Sequence, residues 1–451
     1  MTEKFDIGII GAGPGGYSAA IRASQRGKSV VLFEKDCAGG VCLNRGCIPT
    51  KAVLHCTDFY KNLKKAEKFG ITIENAAFSW EKIFERKNTL TQKIQNNLRK
   101  LILSHDVTIV DEEAALISEK IISAGEKEYQ CENIIIATGT KPAQIKGLDT
   151  DGRFIVNSDE LLQLKSIPDN ILIIGSGAIG IEWARIFSGL GKNVTVVEIA
   201  PSLLPPADAD ISTRIERIFK KDKIKFFKST SVQKIENNQV FLDNGTTIDT
   251  ELVLVAAGRT PVLPETANIK LKMNGKFLEV NENFQTSIEN IYAIGDVNGK
   301  IQLAHAATHQ AISVVDFITR KYPIHFDAIK IPSVIYGNPE IAWVGKTEKM
   351  LEGEDYRVSC FPVAALGKAQ ADDEIDGFIK VISVKNRIVG AHVVAPEASS
   401  LVQQFALMID NEIPTEKILE TTFAHPTYSE GVFEAVLGLE NLSLSLPKVK
   451  L

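Results

Sequence analysis

Two cysteines, Cys42 and Cys47, have four residues between them in the segment GGVCLNRGCIPTK (39–51). In a regular helix their Cα atoms would be about 8.7 Å apart, whereas a disulfide closes over roughly 4.4–6.8 Å. A bond between them therefore needs a distorted turn, for which Gly46 and Pro49 supply flexibility and a break. A disulfide closing so small a loop restrains the unfolded chain little, and any strain in it favours reduction. Such a pair suits thiol–disulfide chemistry better than stapling. The alternatives are two reduced core thiols or half of a metal site, and no second cysteine pair lies close in sequence.

Thiol exchange also needs a base to take the proton of the incoming thiol. His425, in AHPTYSE (424–430), is a candidate. A lone loop histidine is ordinarily a surface residue. Here Pro426 fixes the chain after it, Thr427 or Ser429 can cap a helix, and Glu430 lies where a carboxylate could hold the imidazole tautomer. Lys51 and Glu182, taken alone, each read as an exposed charge. Cys37, Cys56, Cys131 and Cys360 read as small buried or partly buried residues.

The elements that must position these side chains begin with an internal repeat. IIGAGPGGYSAAIRASQRGKSVVLFE (9–34) and IIGSGAIGIEWARIFSGLGKNVTVVE (173–198) both run strand, G-x-G-x-x-G, apolar helix, glycine turn, apolar strand, glutamate. The glycines are Gly11, Gly13 and Gly16, then Gly175, Gly177 and Gly180, and the offset from first glycine to terminal acid is 23 in both copies. That is the length of one βαβ unit with its ribose-binding carboxylate. A single motif would be a weak signal; two in full βαβ context specify two dinucleotide-binding domains. Glycine at these positions permits the tight turn and lets a pyrophosphate approach N–H groups at the positive end of the following helix. Glu34 and Glu198 are expected to accept hydrogen bonds from ribose hydroxyls. A 2′-phosphate beside Glu198 would meet like charge, and no arginine follows in IAPS, so NAD is expected over NADP.

IIIATGTKP (134–142), carrying Thr138 and Gly139, reads as the return of the first domain to its cofactor, and LVLVAAGRTP (252–261), carrying Gly258, as its counterpart. IYAIGDV (291–297) is an apolar strand that places Asp296 at a strand's C-terminal end, where ligands of open α/β sheets lie; a simple turn residue is the alternative. From about residue 335 the glycine signals stop, and FIKVISVKNRIVGAHVVA followed by SSLVQQFALMID suggests a separate α+β domain. The expected divisions are 1–145, 146–265, 266–334 and 335–451.

At 451 residues the chain is too long for one core. Its 44% hydrophobic and 24% charged residues are those of an ordinary globular protein. A net charge of −5 gives no reason to expect nucleic acid or an anionic membrane. Lys220, Lys221, Lys223 and Lys225 read as a solvated face. The start MTEKFDIGII shows neither a signal peptide nor a membrane span, so a cytoplasmic location is expected, and six cysteines there are not a disulfide framework.

Taken in order, these motifs resemble those of the class I pyridine nucleotide-disulfide oxidoreductases along nearly the whole chain. GGVCLNRGCIPTK matches the redox-disulfide motif and IYAIGDV the second flavin motif, while LAH (303–305) and AHPTYSE look like the lipoamide branch in particular. The resemblance implies an α/β fold with two Rossmann-like domains and a C-terminal α+β dimerisation domain. It implies FAD in the first domain, with Gly11, Gly13, Gly16, Glu34, Lys51, Thr138, Gly139, Asp296 and Ala304 in its site. NAD would lie in the second, against Gly175, Gly177, Gly180, Glu198 and Gly258, with no metal. Residues 266–334 would form a central domain completing the FAD site.

By the same resemblance Cys42 is the interchange thiol and Cys47 the thiolate that donates charge to FAD. Lys51 and Glu182 form an ion pair beside the flavin, where a cation stabilises the reduced anion. His425 and Glu430 form a dyad that reaches the cysteines of the other subunit of a homodimer. The implied reaction oxidises dihydrolipoyl groups with NAD. The implied partners are lipoyl-bearing acyltransferase subunits of 2-oxoacid dehydrogenase complexes, or the glycine cleavage carrier protein.

Four residues depart from the pattern: Arg45 replaces a common apolar residue, Phe423 a common second histidine, and His309 and Gln310 common acids. His305 fits the LAH motif, and neither His305 nor His309 is assigned a catalytic role. Arg45 suggests a positive charge that lowers a cysteine pKa. Glutathione-type reductases share the fold, but usually carry a basic cluster in place of Glu198. Mercuric-type reductases add C-terminal cysteines that NLSLSLPKVKL lacks. A silent FAD/NAD-binding scaffold would not need both cysteines with His425 and Glu430.

Overall fold

The computed structural model of the protein describes residues 2–267, 269–320, 322 and 325–447. The first repeat folds as expected. Strand Glu3–Ile10 pairs in parallel with Val30–Phe33 on one side and Lys127–Ile136 on the other, with helix Pro14–Gln25 between the first two in sequence. Val30–Phe33 is buried along its whole length, the continuous apolar run of a parallel strand covered on both faces. Strand Thr108–Val110 extends one edge, and the hairpin Ala114–Ser118/Ile121–Ala124 the other. Strand Glu265–Thr266 pairs in parallel with Ala114–Ser118, and strand Ile291–Ala293 returns from far along the chain to pair in parallel with Lys127–Ile136, completing eight strands. Helix Ala304–Arg320 then packs on helix Pro14–Gln25, where Asp316 accepts from both Arg22 and Arg26.

The second repeat forms its own parallel sheet of five strands, in the order Lys225–Phe227, Asn193–Val197, Asn170–Ile174, Leu252–Val255, Ile155–Asn157. Its helix Ala178–Gly189 is buried at Ile181, Trp183, Ile186 and Phe187 and packs on helix Cys47–Leu63 of the first unit. A two-stranded antiparallel ribbon, Thr140–Pro142 with Arg259–Pro261, joins the ends of the two units.

Residues after 332 build a five-stranded antiparallel sheet, backed by helices Ala398–Asp410 and Glu430–Gly438 around Phe361, Val381, Val393 and Phe405. Lys380, buried in that sheet, places its ammonium 2.8 Å from Asp208 and 2.6 Å from Asp210 and also on Glu348, which ties the sheet to helix Ala209–Lys221. An α/β fold with two Rossmann-like units and a C-terminal α+β unit is therefore present. Lys220, Lys221, Lys223 and Lys225 are all exposed, as a solvated face requires, whereas Cys360 is exposed on the edge strand Arg357–Pro362 rather than buried. Among the described residues no helix is long and apolar enough to cross a membrane.

Candidate active site

The two glycine loops repeat each other in detail. Gly13 and Gly177 enter their helices at φ −69°, ψ −176° and φ −71°, ψ −174°. Glu34 accepts from the N–H of Ala12 at 2.8 Å and of Asp36 at 2.9 Å; Glu198 accepts from Ser176 at 2.7 Å and Ala200 at 2.8 Å. Each acid thus shapes its own glycine loop, with carboxylate lone pairs left over for a ribose. A Cβ at Gly11 or Gly175 would stand 2.6 or 2.7 Å from the carbonyl oxygen of Ala137 or Ala256, in a left-handed backbone. In front of the helices the opposite holds. A Cβ at Gly177 would meet nothing within 4 Å, and one at Gly13 only the Gly40 Cα at 3.9 Å. The open face at a helix N-terminus is the shape a pyrophosphate needs, so both loops fit a dinucleotide.

Because strands Lys127–Ile136 and Ile291–Ala293 run side by side, Thr138, Gly139 and Asp296 follow neighbouring strand ends. Asp296 accepts from the Thr140 hydroxyl at 2.8 Å, which itself accepts from Arg259 Nε at 2.8 Å. Burial pushes the Asp296 carboxyl above its ordinary value. Thr138 donates to the Val262 carbonyl, Gly139 accepts from Val262 at 2.9 Å, and Gly258 accepts from Ala143 at 3.1 Å, so the two loops are tied across the ribbon. Ala304 opens helix Ala304–Arg320.

The cysteines straddle a break between helices Gly40–Arg45 and Cys47–Leu63. Gly46 makes it, at φ −139° and ψ −109°, where a Cβ would lie 2.9 Å from the Val41 carbonyl oxygen. Pro49 sits in the first turn of the second helix and interrupts nothing. Asn44 braces the first helix by donating to the carbonyls of Ala38 and Gly40 at 3.1 and 2.9 Å.

Cys42 and Cys47 meet across this break in a hydrogen bond between their sulfurs, a close pair that fits the expected redox-active disulfide. A hydrogen bond from the Cys42 thiol, with help from Lys51, outweighs burial and pulls Cys47 down to about 7. The same hydrogen bond, with burial, pushes Cys42 up.

Lys51 follows Cys47 by one helical turn. Its ammonium lies 2.8 Å from each oxygen of Glu182 and 4.7 Å from the ring centre of Tyr336. Glu182 is buried and also accepts from the Tyr336 N–H at 3.0 Å. Arg45 does not act as its sequence position suggests. It pairs with Asp36 and lies 3.7 Å from Asp159, and it is not among the largest influences on either cysteine. Its charge is answered by carboxylates at the helix end.

His425 Nδ1 lies 2.8 Å from Glu430, whose second oxygen accepts from the Thr427 N–H at 2.9 Å. Burial raises the Glu430 carboxyl, and the two hydrogen bonds more than offset this, holding it below its ordinary value. Ser429 occupies the N-cap of helix Glu430–Gly438 without a side-chain cap, and accepts instead from Gln404 at 2.8 Å. Thr427 donates back to Ala424 at 2.7 Å, so neither residue caps the helix as expected.

Of the expected residues, the fold brings Cys42, Cys47, Lys51 and Glu182 together, and gathers the glycines, Glu34 and Glu198 into two cradles. Within one chain His425 and Glu430 hydrogen-bond each other and Thr427, and neither hydrogen-bonds Cys42 or Cys47. Phe423 packs on Phe433 at 5.5 Å, His305 meets the Pro332 carbonyl at 2.8 Å, and His309 lies 6.1 Å from the Phe326 ring. Gln310 is fully buried and accepts from the Gly295 N–H at 2.8 Å, bracing the turn that carries Asp296. Sequence reading missed Tyr336, and Tyr17, whose phenol is raised by burial and by the charge of Cys42. Nothing in the sequence around either marks it.

Comparisons with known proteins give the family. Residues 5–311 match the family model described as pyridine nucleotide-disulphide oxidoreductase, and residues 331–436 the dimerisation domain of the same family. The dihydrolipoyl dehydrogenase of Chlamydia pneumoniae is 37% identical, covering 99% of both chains. That of Chlamydia muridarum is 38% identical, covering 100% of both. Among solved structures, LpdA from Mycobacterium tuberculosis superposes with a TM-score of 0.89 over 97% of this chain and 100% of its own, at 24% identity, a likeness of fold.

Proposed function

The chain belongs to the pyridine nucleotide-disulphide oxidoreductase family, and from that premise we propose that it oxidises dihydrolipoyl groups with NAD, as the dihydrolipoyl dehydrogenases do. The observation that carries the reading is the polarised Cys42–Cys47 pair beside the Lys51–Glu182 ion pair, in a chain that also carries two dinucleotide cradles.

His425, oriented by Glu430, takes the proton of one dihydrolipoyl thiol, and that sulfur attacks Cys42 in the disulfide form, releasing Cys47 as thiolate. The second lipoyl sulfur then displaces Cys42. The products are a lipoyl disulfide and the Cys42–Cys47 dithiol. Lys51 stabilises the Cys47 thiolate, and the low pKa of Cys47 keeps it ready to give up its electrons. The first cradle, with Asp296 and Lys51, would hold FAD and the second NAD, and bound FAD would supply the two-electron relay from this dithiol to NAD. The balance is dihydrolipoyl group plus NAD⁺ to lipoyl group plus NADH and a proton. Glu198 selects NAD by its hydrogen bond to the 2′-hydroxyl and by repelling a 2′-phosphate.

The match of residues 331–436 to a dimerisation domain supports a homodimer. The exposed His425–Glu430 dyad then serves the cysteines of the other subunit. Its partners are lipoyl-bearing acyltransferase subunits of 2-oxoacid dehydrogenase complexes or the glycine cleavage carrier protein. Apart from the redox pair, Cys37, Cys56, Cys131 and Cys360 form no disulfide framework, which suits a reducing compartment, the cytoplasm.

The test is an anaerobic assay of FAD-loaded protein with dihydrolipoamide, following reduced nicotinamide with NAD and separately with NADP. Fast reduction of NAD and little of NADP is expected. Failure with dihydrolipoamide but oxidation of NADPH by another disulfide would discard the lipoyl assignment while keeping the chemistry.

A further inference from the structure

Arg185 stands one helical turn after Glu182 on helix Ala178–Gly189 and is almost completely buried. Its Nη1 donates to the Pro339 carbonyl at 2.7 Å. Glu182 meanwhile accepts from the Tyr336 N–H at 3.0 Å. Two neighbouring residues of one helix therefore hold both ends of the loop 336–339, which belongs to the C-terminal unit. Between those ends lies Gly337, at φ +145°, where a Cβ would fall directly on the Arg185 guanidinium. The loop has been shaped around this cation.

Burying a guanidinium with a single carbonyl as its hydrogen-bond partner is costly. The surrounding carboxylates of Asp222, Asp58, Glu182 and Asp376 offset part of that cost. Asp58 belongs to helix Cys47–Leu63, the same helix that carries Cys47 and Lys51. Arg185 thus sits where the redox helix, the second dinucleotide unit and the C-terminal unit meet.

We propose that Arg185 is a positioning residue for the redox site: by pinning the loop 336–339 against Gly337, it holds the Tyr336 N–H on Glu182 and the Tyr336 ring on Lys51, and so fixes the cation that stabilises Cys47. The proposal rests on the reading of Lys51–Glu182 given above. The charged and titratable groups that face Cys47 in this arrangement are Cys42, Lys51, Glu182 and Tyr336. Releasing the loop frees Lys51 to leave the thiolate, which raises the pH at which Cys47 ionises.

The experiment follows the thiolate–flavin charge-transfer absorbance of the two-electron-reduced holoenzyme against pH. Arg185→Met and Gly337→Ala are each expected to raise the midpoint by about half a unit or more. Arg185→Lys, which keeps the buried cation and safeguards folding, should give a smaller rise. Glu182→Gln is measured alongside. If Glu182→Gln moves the midpoint while Arg185→Lys and Gly337→Ala titrate like the parent, the positioning role is wrong and the reading of the ion pair survives. If Glu182→Gln leaves the midpoint in place, the ion-pair reading falls, and the role of Arg185 with it.

Discussion

His425 Nδ1 lies 2.8 Å from Glu430 Oε1, yet the histidine side chain is 76% exposed in the single chain. Its Nδ1 is engaged, so the other ring nitrogen is the one free to accept a proton. A base held this firmly and facing outward suits a site completed by a second subunit. Replacing it with His425→Gln should lower the rate of flavin reduction by dihydrolipoamide by roughly 10²–10⁴-fold. Flavin reduction by NADH, which needs no thiol deprotonation, should be unchanged. Stopped-flow absorbance resolves the two half-reactions, and an equal loss in both would contradict the assignment.

The polarised cysteines set a pH window. Cys47 ionises near 7 in the folded, reduced protein against an ordinary value of 9.0. A depressed acid contributes stability that is fully present above its unfolded pKa and is lost as pH falls through the folded one. Between about pH 7 and 9 the reduced protein should therefore become more stable as pH rises, by at most about 1.4 kcal/mol per unit. Above that window Cys42, whose pKa is raised, contributes in the opposite sense. Chemical denaturation of the reduced protein at several pH values measures the slope. Arg45→Val should leave it unaltered, because that arginine is spent on Asp36 and Asp159.

Gly175 and Gly177 should part company on mutation. Gly177→Ala places its methyl in open space and should fold with an unchanged melting temperature, but obstruct the dinucleotide. We expect KM for NAD to rise about tenfold or more, with FAD content unaltered. Gly175→Ala meets the Ala256 carbonyl at 2.7 Å and a φ of +102°, and should lower the melting temperature. Equal destabilisation by both would mean that the space before the helix is not a ligand's.

Glu198 tests the nucleotide preference. Glu198→Gln removes the charge that opposes a 2′-phosphate and weakens a charge-assisted hydrogen bond of roughly 1.5–3 kcal/mol. The ratio of kcat/KM for NAD over NADP should fall by about ten- to a hundredfold. A ratio that does not move would show that selection lies elsewhere.

Much of this was legible in the chain because it is written in local patterns. The two βαβ units announce themselves through glycine spacing and a terminal acid, since a tight turn, a close helix–strand contact and a ribose ligand each demand a residue type at a fixed offset. The break between Cys42 and Cys47 follows from covalent reach alone, and Gly46 supplies it.

Tertiary structure decided what distant segments do to one another. Taken alone Lys51 and Glu182 read as two exposed charges, and only resemblance to a family paired them; the packing of helices Cys47–Leu63 and Ala178–Gly189 places them 2.8 Å apart. Tyr336, Arg185 and Gly337 carry no local signature, because their roles depend on contacts across more than a hundred residues of chain. The charge of Arg45 looked free beside the cysteines, and only folding revealed the carboxylates that claim it. Offsets along a helix or strand are fixed by backbone geometry and can be read in advance. Which side chains finally share a low-dielectric site is set by how those elements pack.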